Sequence, residues 1–187
     1  SQVRSLDEVP MLGCVESPGP HCGLFEAALT GPFFADGMTL LIGAPACLYH
    51  ARMTLLPRTR VPAGLRDNLL LLPVEQTDAV FGIEGRLMEA IEEADRRYQP
   101  RLLFLVSTCI PEMIGTDLEA VAQMMQPRVR ARLLPVRTDG FSGRHLLQGQ
   151  RRLLASLIRA MEPLPVRPNS VNVLGLRGFG GRETELV

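Results

Sequence analysis

No lysine occurs among the 187 residues, so all 20 basic side chains are arginine. That absence removes whole chemistries. A Schiff-base lysine, a lysine nucleophile and a GK[ST] phosphate loop each need a primary amine, which excludes a pyridoxal enzyme and a P-loop ATPase. Long apolar runs are missing too. The strongest, Leu69 to Leu72 and Leu102 to Val106, fall far below the roughly 20 residues that a membrane-spanning helix needs. Net charge is zero and the sequence pI is about 6.8, so neither nucleic acid nor a membrane surface is an expected partner. Ser1 to Pro10 lacks the basic stretch and following apolar stretch of a secretory leader, and cytoplasmic residence is the expectation. The four cysteines, Cys14, Cys22, Cys47 and Cys109, include no C-x-x-C spacing. In a chain with 46% apolar residues, long enough to bury its own core, they read as ligands or buried thiols and not as a disulfide framework.

What is present is an alternation of short apolar runs and amphipathic stretches, punctuated by Pro and Gly. Residues 1–20 read as an extended segment. Gly23 to Leu29 carries helix formers, and Met38 to Ile42 is a strand running into Gly43-Ala44-Pro45-Ala46 and then a helix through Met53. After an Arg-, Pro- and Gly-rich connection, Leu69 to Val74 is a short strand. Leu87, Ile91 and Ala94 recur at helical spacing in a helix that Pro100 ends. Leu102 to Val106, with no polar interruption, fits a strand covered on both faces of a parallel sheet.

Pro111 stands where a helix begins, and Leu118, Val121, Ala122 and Met125 form a buried stripe in what reads as one helix. Ala131 to Val136 is the next strand. Leu146 to Met161 is strongly amphipathic, and Pro163, Pro165 and Pro168 stiffen the link to a last strand at Ser170 to Leu174. The pattern predicts an α/β fold: a three-layer, Rossmann-like domain with a mostly parallel sheet and helices on both faces. In such sheets ligands collect at the carboxyl ends of the strands.

Cys47 and Cys109 each follow the carboxyl end of a strand, and Cys22 stands just ahead of a helix, so three thiols can converge on one rim. Helix N-termini favour thiolate, and soft thiolates select iron–sulfur clusters or zinc. The plainer alternative is that these are small buried fillers. His21 and His50 leave a Cys/His zinc site open. Glu112 and Asp117, acids at a helix start, are expected to serve the helix dipole rather than acid/base chemistry. Arg128, Arg130, Arg132 and Arg137 read as a solvated face or a docking strip, and Met124-Met125 as core.

The string Ser107-Thr108-Cys109-Ile110-Pro111-Glu112-Met113-Ile114-Gly115-Thr116-Asp117-Leu118 resembles the STC-x-x-x-x-IG-x-D-[IL] signature of nitrogenase component 1 proteins. That superfamily spans molybdenum–iron protein subunits, the cofactor-assembly scaffold pair and the dark-operative protochlorophyllide and chlorophyllide reductases. Val80 to Leu87 with Ala90-Ile91 is similar to its V-F-G-G-x-x-x-L-x-x-A-I segment. Leu41 to Cys47 is similar to its H-G-P-x-G-C turn, and Thr138 to Gly143 to its T-x-G-F-x-G loop. Ala46 and Ile83 stand where the family has glycine, and Ala46 demands ordinary backbone angles there.

The resemblance implies that Cys22, Cys47 and Cys109, separated by 25 and 62 residues, bind a [4Fe–4S] or P-cluster-like iron–sulfur cluster at a subunit interface. Cys14 has no secure counterpart; a fourth ligand supplied in cis stays open for it, although in this family the partner subunit often supplies the remaining ligand. It further implies a homologous partner subunit, in a homo- or heterodimer, and an ATP-hydrolysing iron protein as electron donor. Residues 21–162 are expected to be one component 1-like α/β domain, and 163–187 a linker and the start of a truncated second domain. The leading functional expectation is the cluster-binding domain of a nitrogenase-like reductase subunit, an oxidoreductase part inactive as an isolated fragment. The alternative is a scaffold domain for metallocofactor or tetrapyrrole assembly without turnover. A third is an interaction module whose cysteines only fill space.

Overall fold

The uninterrupted run at Leu102–Ser107 (β3) forms a strand whose last five residues are buried. Neighbours on both edges and helices on both faces bury it. The computed structural model describes residues 22–31, 34, 36–55, 68–138, 146–161 and 168. Around β3 lie Gly37–Gly43 (β1), Leu69–Pro73 (β2) and Arg132–Arg137 (β4), all parallel, in the order β2-β1-β3-β4. Leu40 stands opposite Leu70 on one side and Leu105 on the other. Gly23–Thr30 (α1) precedes β1, Pro45–Leu55 (α2) follows it, and Asp78–Phe81 (α3) and Glu84–Tyr98 (α4) lie between β2 and β3. Cys109–Met113 (α5), Leu118–Met125 (α6) and a 3-10 turn at Gln126–Arg128 lead to β4, which is followed by Leu146–Ala160 (α7).

Side chains alternate across the sheet and build two cores. On one face Leu40, Ile42, Leu103 and Leu105 meet Leu87 and Ile91 of α4 and Leu118 and Val121 of α6. On the other, Leu41, Phe104, Val106 and Leu134 meet Phe25 and Ala28 of α1, Ala51 of α2 and Leu153 of α7. The α/β class and parallel sheet thus stand as the sequence predicts, with helices on both faces. The helix expected from Pro111 through Met125 is in fact two. Ile114 to Asp117 break it, with Gly115 at φ 77°, and the Asp117 side chain accepts from the Ala120 N–H at 2.9 Å to start α6 afresh. Gly82, at φ 81°, likewise separates α3 from α4. The N-terminal segment, the Thr138 to Gly143 loop beyond Thr138, and the strand expected at Ser170 to Leu174 lie outside the described residues.

The outer edge of β4 is partly occupied by side chains. Arg132 turns its N–H inward to the Arg101 carbonyl at 2.9 Å, so the peptide carbonyl of Ala131 and the N–H of Leu133 point away from the sheet. There the Gln126 amide acts as a substitute peptide: its Nε2 donates to the Ala131 carbonyl at 2.9 Å and its Oε1 accepts from the Leu133 N–H at 3.0 Å. Pro135 has no N–H to offer. Arg152 Nη1 donates to the Arg137 carbonyl at 2.7 Å.

Candidate functional site at the carboxyl edge

Two central strands hand the chain on in opposite directions. β1 leads through α2 to β2, whereas β3 leads through α5 and α6 to β4, on the other face. Their carboxyl ends therefore flank the point where strand order reverses, the crevice that open parallel sheets use for ligands. The two exits touch. Thr108 N–H donates to the Ile42 carbonyl at 3.0 Å, and a Cβ on Gly43 would stand 2.1 Å from Thr108 Oγ1, so only glycine fits at the end of β1.

Cys47 lies in the first turn of α2, with its N–H donating to the Ala44 carbonyl at 2.9 Å, and Cys109 opens α5. Both are half-buried. Cys22 caps the start of α1 and is 7% exposed, within the core shared by α1, α2 and α7. Its placement follows from a close crossing of helices: a Cβ on Gly149 would fall 1.6 Å from the Gly23 carbonyl oxygen. Because α7 starts after the carboxyl end of β4, α1 starts at that end too. The three cysteines share one edge of the sheet, and none is disulfide-bonded.

They share an edge without yet sharing a point. Among the described residues no three His, Cys, Asp or Glu side chains converge as a metal-binding set. The donor chemistry nonetheless fits a cluster: soft sulfur donors, two of them half-buried, at the start of helices. Thr108 adds to the fit. Its Oγ1 lies between the two exits in a side chain 2% exposed and finds no hydrogen-bond partner among the described residues, an arrangement that a bound group relieves. His50 is exposed on α2 against Tyr49, 5.5 Å between ring centroids, while His21 and Cys14 lie outside the described residues.

Glu112 is more than a charge for a helix dipole. Its side chain is only 7% exposed and takes Arg137 Nε at 2.8 Å and Nη2 at 2.7 Å on one oxygen. Ser107 Oγ donates to the other, and Thr138 Oγ1 donates to the Ser107 carbonyl. The hydrogen bond to Glu112, and then the charge of that carboxylate, raise the pKa of Arg137. The pairing escapes sequence reasoning because Glu112 and Arg137 stand 25 residues apart. Of the other arginines read as a strip, Arg128 approaches Glu92 at 3.7 Å across the surface.

Known proteins carry the same pattern. Residues 22–184 match the family described as nitrogenase component 1 type oxidoreductase. The chain is 31% identical over 138 residues to the nitrogenase iron-molybdenum cofactor biosynthesis protein NifE of Methanococcus maripaludis, covering 72% of this chain and 28% of that protein. It is 30% identical over 166 residues to the nitrogenase molybdenum-iron protein alpha chain of Methanosarcina barkeri, covering 83% and 30%. The chain thus spans under a third of the length of these relatives. A solved structure titled Nitrogenase Cp1 at pH 6.5 superposes with a TM-score of 0.75 at 19% identity, over 98% of this chain and 36% of that one, which bears on the fold alone. The signature strings around Cys47 and Cys109, the parallel sheet that carries them and the match along residues 22–184 agree: the chain belongs to the nitrogenase component 1 type oxidoreductase family.

Proposed function

We propose that this chain is the cluster-holding domain of a nitrogenase-like reductase subunit, with Cys22, Cys47 and Cys109 as thiolate ligands of a [4Fe–4S] or P-cluster-like cluster shared with a homologous partner subunit. The observation that carries the reading is the position of Cys47 and Cys109 in first turns on either side of the β1/β3 crevice. When bound, such a cluster supplies one-electron transfer. The chain's own part is to hold and shield. Gly43 lets the β3 exit close onto β1, the α1/α7 crossing brings Cys22 to the same edge, and Thr108 presents a hydroxyl between them.

Tyr49, Val80, Phe81, Ile110 and Met113, on helices leaving the carboxyl ends of β1, β2 and β3, are large apolar side chains left exposed. Together they suit a partner subunit that covers the thiols from water. Electrons reach this site from a separate ATP-hydrolysing iron protein, which agrees with a chain that has no GK[ST] loop. The division into a segment 1–20, an α/β domain 21–162 and the start of a second domain at 163–187, and cytoplasmic residence, belong to the same reading. No helix among the described residues is long and apolar enough to cross a membrane.

A second reading is a scaffold for metallocofactor or tetrapyrrole assembly without turnover, favoured by the likeness to biosynthesis proteins named NifE. Anaerobic reconstitution with iron and sulfide tests the ligand set. Cys22→Ser, Cys47→Ser and Cys109→Ser are each expected to lower bound iron and alter the EPR spectrum; unchanged iron and spectra in all three would reject it. Turnover by the full-length subunit with its partner and an ATP-dependent donor then separates the reductase from the scaffold.

A further inference from the structure

We infer that Glu112 is a positioning residue for Cys109, acting through Arg137 and Ser107; this rests on the reading of Cys109 as a cluster ligand. Helix α5 has five residues, too few to hold itself by its own hydrogen bonds, so its place depends on what grips it. Glu112 is the grip. A carboxylate so far out of water needs partners, and it finds them on two strands at once. Ser107 ends β3, Arg137 ends β4, and the two residues stand opposite each other in register.

The same clamp continues to α7, because Arg152 Nη1 donates to the Arg137 carbonyl at 2.7 Å. Three residues earlier on α7, Gly149 packs against Gly23, the residue after Cys22. A continuous path of contacts therefore joins the helix that presents Cys109 to the helix pair that presents Cys22. Loosening Glu112 from Arg137 frees the first turn of α5 while leaving the apolar cores on both faces of the sheet intact.

The test uses the purified protein with Glu112→Gln, Arg137→Gln and Arg137→Lys, beside Cys109→Ser and Glu89→Gln, the last an exposed acid on α4 away from Arg137. In metal-free protein, the alkylation rate of Cys109 relative to Cys47, read by mass spectrometry, is expected to rise several-fold in Glu112→Gln and Arg137→Gln. It should stay at the parent value in Glu89→Gln and return toward it in Arg137→Lys. After reconstitution with iron and sulfide, the first two variants are expected to shift the EPR spectrum while keeping the parent circular dichroism. Arg137 is half-exposed, so Arg137→Gln carries the test even where Glu112→Gln fails to fold. Loss of iron in Cys109→Ser with unchanged alkylation ratios in both Gln variants overturns the positioning role alone. Iron fully retained in Cys109→Ser overturns the ligand reading, and the positioning role with it.

Discussion

Gly149 shows how much one missing side chain can decide. Helices usually avoid glycine in their interior, because it costs about 1 kcal/mol relative to alanine. Here the Gly23 carbonyl occupies the space a Cβ would need. Gly149→Ala is therefore expected to destabilise the protein despite its better helix propensity. Overpacking of this kind costs about 1–3 kcal/mol, which corresponds to a fall in Tm of roughly 2–12 °C for a chain of this size. Thermal unfolding followed by circular dichroism checks it, and a Tm equal to or above the parent's would show that α1 and α7 do not cross so closely. Residue scale is also where sequence reading reached least. The three cysteines could be named and assigned to a common rim from their neighbours, but the depth of Cys22 within the α1/α2/α7 core could not. In sequence Glu112 reads as a dipole acid, because its partner, Arg137, comes from a distant strand.

At the scale of elements, the strands were legible because parallel strands covered on both faces leave plain apolar runs, as at Leu102 to Val106. Helices with a long stripe, such as α4 and α7, were legible for a similar reason. The split between α5 and α6 was not. Pro111 and the stripe from Leu118 to Met125 suggested one continuous helix, although Gly115 followed by Asp117 is the signature of a stop and a fresh start. Since Asp117 caps α6 by accepting from the Ala120 N–H, Asp117→Ala is expected to cost about 1 kcal/mol. A urea denaturation curve would report it as a lower midpoint at constant slope. An unchanged midpoint would mean that the break is set by Gly115 and Thr116 without the cap.

For the molecule as a whole, the decisive fact is strand order. Alternating strands and helices predicted a parallel sheet, yet the order β2-β1-β3-β4, and with it the crevice between β1 and β3, arises from which strands pair at long range. Local pattern carries no record of that choice; the family signature strings do, because they mark the two exits that meet there. Molecular scale also tests the partly covered rim of β4. Gln126→Ala removes both hydrogen bonds to Ala131 and Leu133 and leaves bare peptide groups at a sheet edge, where chains pair with one another. Increased light scattering on mild heating is the expected result, with a smaller loss of Tm than in Gly149→Ala. Scattering no different from the parent's would assign the protection to Pro135 and Arg152 instead.

Along that border an amide, a proline and a guanidinium leave fewer unused backbone donors and acceptors for a further strand. A neighbour on that flank, whether another part of a longer polypeptide or a second protein, therefore finds the sides of α6 and α7 a readier seat than the backbone ladder. Docking of rounded surfaces there would leave the spacing of the four described strands, and of the sulfur atoms above them, undisturbed.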